Sequence, residues 1–154
     1  MKVILPGSYD PITLGHLDVI RRAAAIYDEV YVIAFINPEK NYMFTPEERV
    51  RMLAIATEGI SGVAVGFSEG RVVDYMHEHG IERIVKGYRN SKDLEYEQAQ
   101  AEYNLLHGGF GTEFVESSPE YESISSTLAR ERIKSGGSLS GILPENVISF
   151  INKH

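Results

Sequence analysis

The sequence predicts an α/β fold: a doubly wound sheet of five parallel strands with a C-terminal helical segment, in one domain spanning residues 1–154. Two observations carry this expectation. Short apolar, β-branched runs alternate with helical stretches along the whole chain, the order that parallel strands joined by crossover helices require. The first run, Val3-Ile4-Leu5, is continuously apolar, as in a strand covered on both faces. No internal repeat, low-complexity stretch or linker interrupts the alternation, so the expected architecture is a single Rossmann-like sheet.

The elements follow in order. Lys2 to Leu5 is the first strand, and Leu17 to Tyr27 is a helix with Val19, Ile20, Ala23, Ala24 and Tyr27 on one face. Val30 to Phe35 is the second strand, followed by a polar loop, Asn37 to Phe44, that contains Pro38. Thr45-Pro46-Glu47-Glu48 is a capping box with proline at the first helical position, so a helix runs from there to about Glu58. Val63 to Phe67 is the third strand. Val72 to His79 is a helix closed by Gly80, and Ile81 to Val85 is the fourth strand. A loop, Lys86 to Asn90, leads into a helix from about Lys92 to Leu106, which Gly108-Gly109-Phe110-Gly111 ends. Thr112 to Glu116 is the fifth strand, Ile124 opens a helix to about Ser135, and Pro144-Glu145 starts the last helix.

Composition narrows the function. The chain has no cysteine, which excludes disulfides, thiolate metal sites and a cysteine nucleophile. Its formal net charge is −7, unsuited to general binding of nucleic acid or anionic membrane. Met1-Lys2 runs directly into a strand, as expected of a chain without a secretory or transit leader, and no apolar run approaches membrane-spanning length. The expected location is cytoplasmic. A small polyanion remains a suitable ligand wherever a few cations converge.

Convergence is what the topology offers. Ligands of doubly wound sheets bind beyond the C-terminal ends of the strands, and four polar segments lie there: Pro6–His16, Asn37–Phe44, Lys86–Asn90 and Ser117–Thr127. His16 follows Gly15 at a helix start, where a ring N–H and free backbone N–H groups suit phosphate and where the histidine is expected to add to the positive potential. A lone histidine there is more often only a helix-start residue, but the loop position after the first strand favours the ligand reading. Ser8 is either a strand terminator or a phosphate contact. Asp10-Pro11 is expected to shape the loop and not to supply a base. Lys40 in its polar loop reads on its own as a solvated lysine. In Lys86-Gly87-Tyr88-Arg89 two cations flank a residue that allows close backbone approach, and arginine supplies a fork for phosphate oxygens. Glu95-Tyr96-Glu97 reads by default as a solvated helix face, and Asp93 as a helix-start acid or a partner of Arg89. Ile124-Ser125-Ser126-Thr127 contains an N-cap whose hydroxyls also suit a triphosphate. There is no G-x-x-x-x-G-K-[ST] and no G-x-G-x-x-G, and no transition-metal ligand spacing.

Taken together, Pro6-Gly7-Ser8-Tyr9-Asp10-Pro11-Ile12-Thr13-Leu14-Gly15-His16, Met43-Phe44-Thr45-Pro46-Glu47-Glu48-Arg49, Lys86-Gly87-Tyr88-Arg89 with Asp93-Leu94-Glu95-Tyr96-Glu97, Ile124-Ser125-Ser126-Thr127 and Leu143-Pro144-Glu145-Asn146-Val147 resemble the phosphopantetheine adenylyltransferase family over nearly the whole chain. The first motif belongs to nucleotidylyltransferases at large; the others are more specific. The resemblance implies that His16, Lys40 and Arg89 are catalytic. It implies ATP contacts from Ser8, Tyr9, His16, Gly87, Tyr88, Arg89, Glu97 and the run Tyr121, Glu122, Ser123, Ile124, Ser125, Ser126, Thr127. Ser8, Lys40, Val72 and Lys86 would hold the acceptor, 4′-phosphopantetheine. It also implies Mg²⁺ as cofactor, with no metal ligands on the protein, and a homohexamer. The chain departs from the family pattern at Ser8 and Tyr9 (usually threonine and phenylalanine), at Lys86 (an arginine), at Arg71 (an apolar residue) and at Gly108–Gly111.

The reaction so implied is attack of the acceptor phosphate on the α-phosphorus of ATP with loss of pyrophosphate. The attacking group is already anionic, so alignment and electrostatic stabilisation carry the catalysis and no covalent enzyme intermediate is expected. The alternatives are a nucleotidylyltransferase with another phosphate acceptor and a nucleotide-binding module without turnover.

Overall fold

A computed structural model describes all residues, Met1–His154. Five strands, β1 (Lys2–Gly7), β2 (Glu29–Phe35), β3 (Val63–Ser68), β4 (Arg83–Tyr88) and β5 (Thr112–Glu116), form one parallel sheet in the order β3-β2-β1-β4-β5. Six helices connect and cover it: α1 (Leu14–Ile26), α2 (Pro46–Ala56), α3 (Val72–His79), α4 (Ser91–Gly108), α5 (Ser126–Ser135) and α6 (Glu145–Lys153). The expected α/β, doubly wound architecture with a C-terminal helical segment is the one observed.

Strand alternation divides the core between the two faces. Val3, Leu5, Val30, Val32, Ala34 and Val85 point to one side, where they pack with Leu17, Ile20 and Ala23 of α1, Met52 and Leu53 of α2, Ala129 of α5 and Val147 of α6 in a cluster of 21 buried residues. Ile4, Ile33 and Ile84 point the other way and form a cluster of 5 buried residues with Met76 and Ile81, against which partly buried Tyr31, Phe35, Val72, Tyr75 and Phe110 pack. The second face is correspondingly light: α4, its longest helix, has no buried residue.

The switch in strand order falls between β1 and β4, and there the sheet opens. β1 pairs with β2 along its whole length, from Lys2↔Glu29 to Gly7↔Ala34, but with β4 only at Val3↔Arg83 and Ile4↔Ile84. Beyond Ile4 the two strands part, so Pro6 and Gly7 face Lys86 and Gly87 across a gap and not across a hydrogen-bonded ladder. Gly87 is required here for packing: a Cβ on it would lie 2.7 Å from Val19 Cγ2, so only a glycine lets α1 sit against the end of β4.

Several boundaries differ from the sequence expectation: β1 extends through Gly7 and not only to Leu5, β4 starts at Arg83 and not at Ile81, and α5 starts at Ser126 and not at Ile124. α1 starts at Leu14 and not near Leu17, because Thr13 is its N-cap and His16 takes the reciprocal place in the capping box. Lys86, Gly87 and Tyr88 belong to β4 and not to a loop; they pair with Phe114, Val115 and Glu116 of β5 through backbone groups that their polar side chains do not advertise. α4 runs through Gly108, with Gly109 as its left-handed cap.

Candidate active site

Three adjoining cavities lie along the opened gap. One of about 420 Å³ is lined by Ser8, Lys40, Tyr42, Arg71, Val72 and Lys86, among others. A central one of about 310 Å³ is lined by Pro6, Gly7, Tyr9, His16, Val85 and Gly87. A third, of about 260 Å³, is lined by Thr13, Arg89, Asp93, Ser117, Ser125 and Ser126. Ser8 and Lys86 line both the first and the second, Gly15 and His16 both the second and the third, and Glu97 all three. The result is one continuous cleft with His16 in its middle.

His16 is held by its own helix start. The Thr13 backbone N–H donates to His16 Nδ1 at 3.0 Å, and the His16 N–H donates to Thr13 Oγ1 at 3.3 Å. An Nδ1 that accepts carries no proton, so the neutral ring keeps its hydrogen on Nε2. Burial, with Arg89 and Lys86 adding to it, pushes the pKa down from 6.5 to about 4. The expectation that His16 adds positive charge is therefore corrected: at neutral pH it is an uncharged Nε2–H donor. Tyr9 stands beside it edge-on, with ring centroids 5.1 Å apart, and donates its hydroxyl inward to Leu5 O at 2.9 Å. The Tyr9 hydroxyl is thus spent on the fold; the residue lines the central cavity and braces His16 in a backbone conformation with φ 47°.

The end of β4 and the start of α4 supply two cations, each beside a carboxylate. Arg89 donates through Nε to Asp93 Oδ2 at 3.3 Å and through Nη1 to Ile124 O at 3.2 Å, which leaves Nη2 for a ligand. Asp93, in the first turn of α4, takes both roles that the sequence left open, since it also accepts from the Arg89 N–H. Lys86 Nζ lies 3.2 Å from Glu97 Oε2. Glu97 is a correction to the default reading of a solvated helix face: its side chain is 17% exposed and turned into the cleft. Tyr88 lines a neighbouring recess with Arg89 and Glu122.

At the first cavity, Lys40 sits on an exposed loop and pairs with no carboxylate. That loop is tied down by Asp10, whose two carboxylate oxygens accept from the N–H groups of Met43 and Phe44 at 2.9 Å each. Asp10 shapes the loop, as expected. Val72 opens α3 at the cavity wall, and Arg71 beside it is engaged by Asp74.

The segment after β5 is only partly in the cleft. Ser125 is the N-cap of α5, accepting from Leu128 N, and Ser126 Oγ donates to Pro11 O at 2.8 Å. Both line the third cavity with buried Ile124, and Tyr121 lies against Gly15. Ser123 and Thr127 are exposed and line none of the three cavities; Thr127 Oγ1 instead takes a hydrogen bond from Arg130. Two residues not singled out in the sequence are present: Thr13, whose cap fixes the His16 tautomer, and Ser117, buried at the cleft edge with no partner for its hydroxyl. The pattern Thr13-x-x-His16 carries the first signal, although histidine is not the usual third member of a capping box. Nothing in the sequence marks Ser117.

No three His, Asp or Glu side chains gather as a metal site. The carboxylates that reach the cleft, Asp93 and Glu97, are committed to Arg89 and Lys86. These residues do not build a magnesium cage, and a magnesium ion here would depend on phosphate oxygens and water. The cleft itself is suited to two phosphorylated ligands meeting at a neutral hydrogen-bond donor, with a cation on each side.

Comparison with known proteins agrees. The cytidylyltransferase-like family matches residues 4–132, from β1 into α5. A phosphopantetheine adenylyltransferase of Corynebacterium efficiens is 45% identical over 99% of this chain and 97% of its own length. The chain belongs to the phosphopantetheine adenylyltransferase family. A second member, from Corynebacterium glutamicum, is 43% identical over 99% of this chain and 96% of its own length. The cytidylyltransferase-like match runs from Ile4 in β1 to Arg132 in α5 and so includes every residue of the cleft described above.

Proposed function

We propose that this enzyme transfers the adenylyl group of ATP to 4′-phosphopantetheine, giving dephospho-coenzyme A and pyrophosphate. The observation that carries the reading is the position of His16, a neutral Nε2–H donor between a cavity with Lys40 and Lys86 and a cavity with Arg89. An oxygen of the acceptor phosphate forms a bond to the α-phosphorus, and the bond from that phosphorus to the bridging oxygen of the β-phosphate breaks. The electron pair leaves with pyrophosphate, and no proton needs to move to the protein.

The chain's residues act by holding and by stabilising charge. Lys40 and Lys86 collect the acceptor phosphate from two sides of the larger cavity, and Glu97 orients the Lys86 ammonium. Arg89 offers Nη2 to the triphosphate while Asp93 and Ile124 O fix its plane. Ser125 and Ser126 stand at the N-terminus of α5, where backbone N–H groups and the helix dipole favour anions. His16 then donates to the α-phosphate oxygen on which charge grows, from a position fixed before the substrate arrives. Magnesium, if it accompanies ATP, supplies charge screening on the triphosphate and no step that these side chains perform.

We also place the enzyme in the cytoplasm and in a homohexamer. No helix is long and apolar enough to cross a membrane. Self-association is supported by α4, which buries nothing within the chain and leaves Leu105 56% and Leu106 81% exposed. Nucleic acid is not a partner on this reading, given the net charge of −7.

The deciding experiment is pyrophosphate release with ATP or CTP against a panel of acceptors: 4′-phosphopantetheine, nicotinamide mononucleotide and a polyol phosphate. Turnover with ATP and 4′-phosphopantetheine well above every other pair is expected. Preference for another acceptor would replace the proposed one, and calorimetric ATP binding without product from any pair would make the chain a binding module.

A further inference from the structure

Behind the acceptor cavity sits a buried arginine that the reaction does not use. Arg49, on the inward face of α2, is 0% exposed, yet it forms no ion pair with a carboxylate. Its Nη1 donates to Ser8 O at 2.9 Å, and its guanidinium carbon lies 4.1 Å from the centre of the Tyr42 ring. Nε and Nη2 are buried without a partner. Tyr42 continues the chain of contacts: its hydroxyl accepts from Asn37 N–H at 2.9 Å, and Asn37 O accepts from Lys40 N–H at 3.0 Å.

Burying an arginine is unfavourable unless its charge is answered, and a carboxylate would answer it most directly. Here the contacts are a carbonyl and the face of a ring, and both belong to residues that line one cavity. Ser8 belongs to the segment after β1, and Tyr42 to the loop that carries Lys40. Asp10 already pins that loop at Met43 and Phe44, so the Tyr42 contact fixes the remaining, Lys40-bearing half. The charge of Arg49 is left unneutralised beside a cavity expected to take a phosphate, and it is felt over several ångströms in so dry a place.

We propose that Arg49 and Tyr42 form a strap that holds Ser8 and the Lys40 loop in the geometry the acceptor phosphate requires, Arg49 being a positioning residue. The proposal rests on the adenylyl-transfer reading above for the identity of the acceptor, but the strap itself does not.

The test compares the wild type with Tyr42→Phe, Tyr42→Leu, Arg49→Lys, Lys40→Ala and the Tyr42→Leu/Lys40→Ala double variant. Acceptor KM, ATP KM, kcat, thermal melting and the rate of tryptic cleavage after Lys40 are measured. Tyr42→Leu removes both strap contacts and is expected to raise the acceptor KM by roughly tenfold, since small misplacements of binding groups are costly, while ATP KM stays put and cleavage after Lys40 quickens. Tyr42→Phe keeps the ring on Arg49 and loses only the Asn37 bond, so its effect is smaller. Arg49→Lys keeps the charge but loses the fork, and should resemble Tyr42→Leu. The double variant should be no worse than Lys40→Ala alone, because Tyr42 acts through Lys40. A folded Tyr42→Leu variant with unchanged acceptor KM overturns the strap, as does an equal rise in both KM values or an additive double variant. If Arg49→Lys fails to fold, the Tyr42 variants decide. If the wild type does not turn over 4′-phosphopantetheine, the functional reading fails, and unchanged tryptic cleavage in Tyr42→Leu then overturns the strap on its own.

Discussion

The cleft has two walls made in different ways. On the His16 side every functional group is fixed by the chain immediately around it: Thr13 caps the helix and sets the ring tautomer, Tyr9 braces the ring, and the large core cluster lies directly beneath. On the proposed acceptor side one cation, Lys40, stands on an exposed loop and the other, Lys86, near the end of β4, and they are placed by side chains borrowed from elsewhere: Asp10 and Arg49 for the loop and Glu97 for Lys86. A wall fixed locally suits a group that must be in place at the transition state. A wall fixed at a distance suits groups that must admit and release a ligand.

The largest effect should come from the rigid wall. His16→Ala removes the one neutral donor in the middle of the cleft, and kcat should fall on the order of a hundredfold or more, as for loss of a single oxyanion donor, with a smaller change in ATP affinity. Steady-state kinetics beside calorimetric ATP titration check this. Normal turnover in a folded variant would remove His16 from the mechanism.

The same residue predicts a pH signature. Its pKa is about 4 in the folded chain against 6.5 for the free group, so between those values the unfolded chain binds the extra proton. Stability is then unaffected by His16 above pH 6.5 and is lost as pH falls from about 6.5 to about 4, by up to roughly 3 kcal/mol. Denaturant melts across that range should slope less in His16→Gln than in the wild type. An NMR titration should place the wild-type ring near 4, so that any activity inflection near pH 6 belongs to the acceptor's phosphate. A ring titrating at its ordinary value would mean that the buried, neutral donor described here is wrong.

The comparison also explains what could be read in advance. The strands and helices with clean punctuation, Thr112–Glu116 after Gly111 and Val72–His79 before Gly80, lie where the sequence placed them. Local residue chemistry decides those ends. β4 lies later than the apolar run Ile81 to Val85 suggests, because it starts at Arg83 and because Lys86, Gly87 and Tyr88 extend the sheet only through backbone pairing with β5. The His16 wall was legible for the same local reason, as one continuous motif, except for the sign of its charge. Charge state depends on burial and on Arg89 and Lys86, which arrive from far along the chain. The inward turn of Glu97 and the strap through Arg49 were not legible at all, since both depend on what the tertiary fold sets opposite them.

On the acceptor wall the effect should be on binding. Lys86→Ala leaves Glu97 without its ion-pair partner and removes a cation from the larger cavity. Acceptor KM should rise roughly tenfold, the scale of a lost charge-assisted hydrogen bond, with kcat less affected than in His16→Ala. Lys86→Arg should recover most of it, because a guanidinium can meet both Glu97 and a phosphate. An unchanged acceptor KM in Lys86→Ala would mark Lys86 as a structural partner of Glu97 alone.

The smallest change separates bracing from chemistry within the rigid wall itself. Tyr9→Phe keeps the ring that stands against His16 and deletes only the hydroxyl that donates to Leu5 O. The cost should be about 1 kcal/mol of stability, the usual net worth of one buried hydrogen bond, seen as a lower midpoint in urea. Because the hydroxyl is already committed to Leu5 O, ATP KM and kcat should stay within about twofold, far inside the range of a lost transition-state donor. A drop in kcat or a rise in ATP KM of tenfold would place the Tyr9 hydroxyl on the nucleotide after all. It would also mean that the loop turns over on binding, so that the wall taken here as fixed is the one that moves.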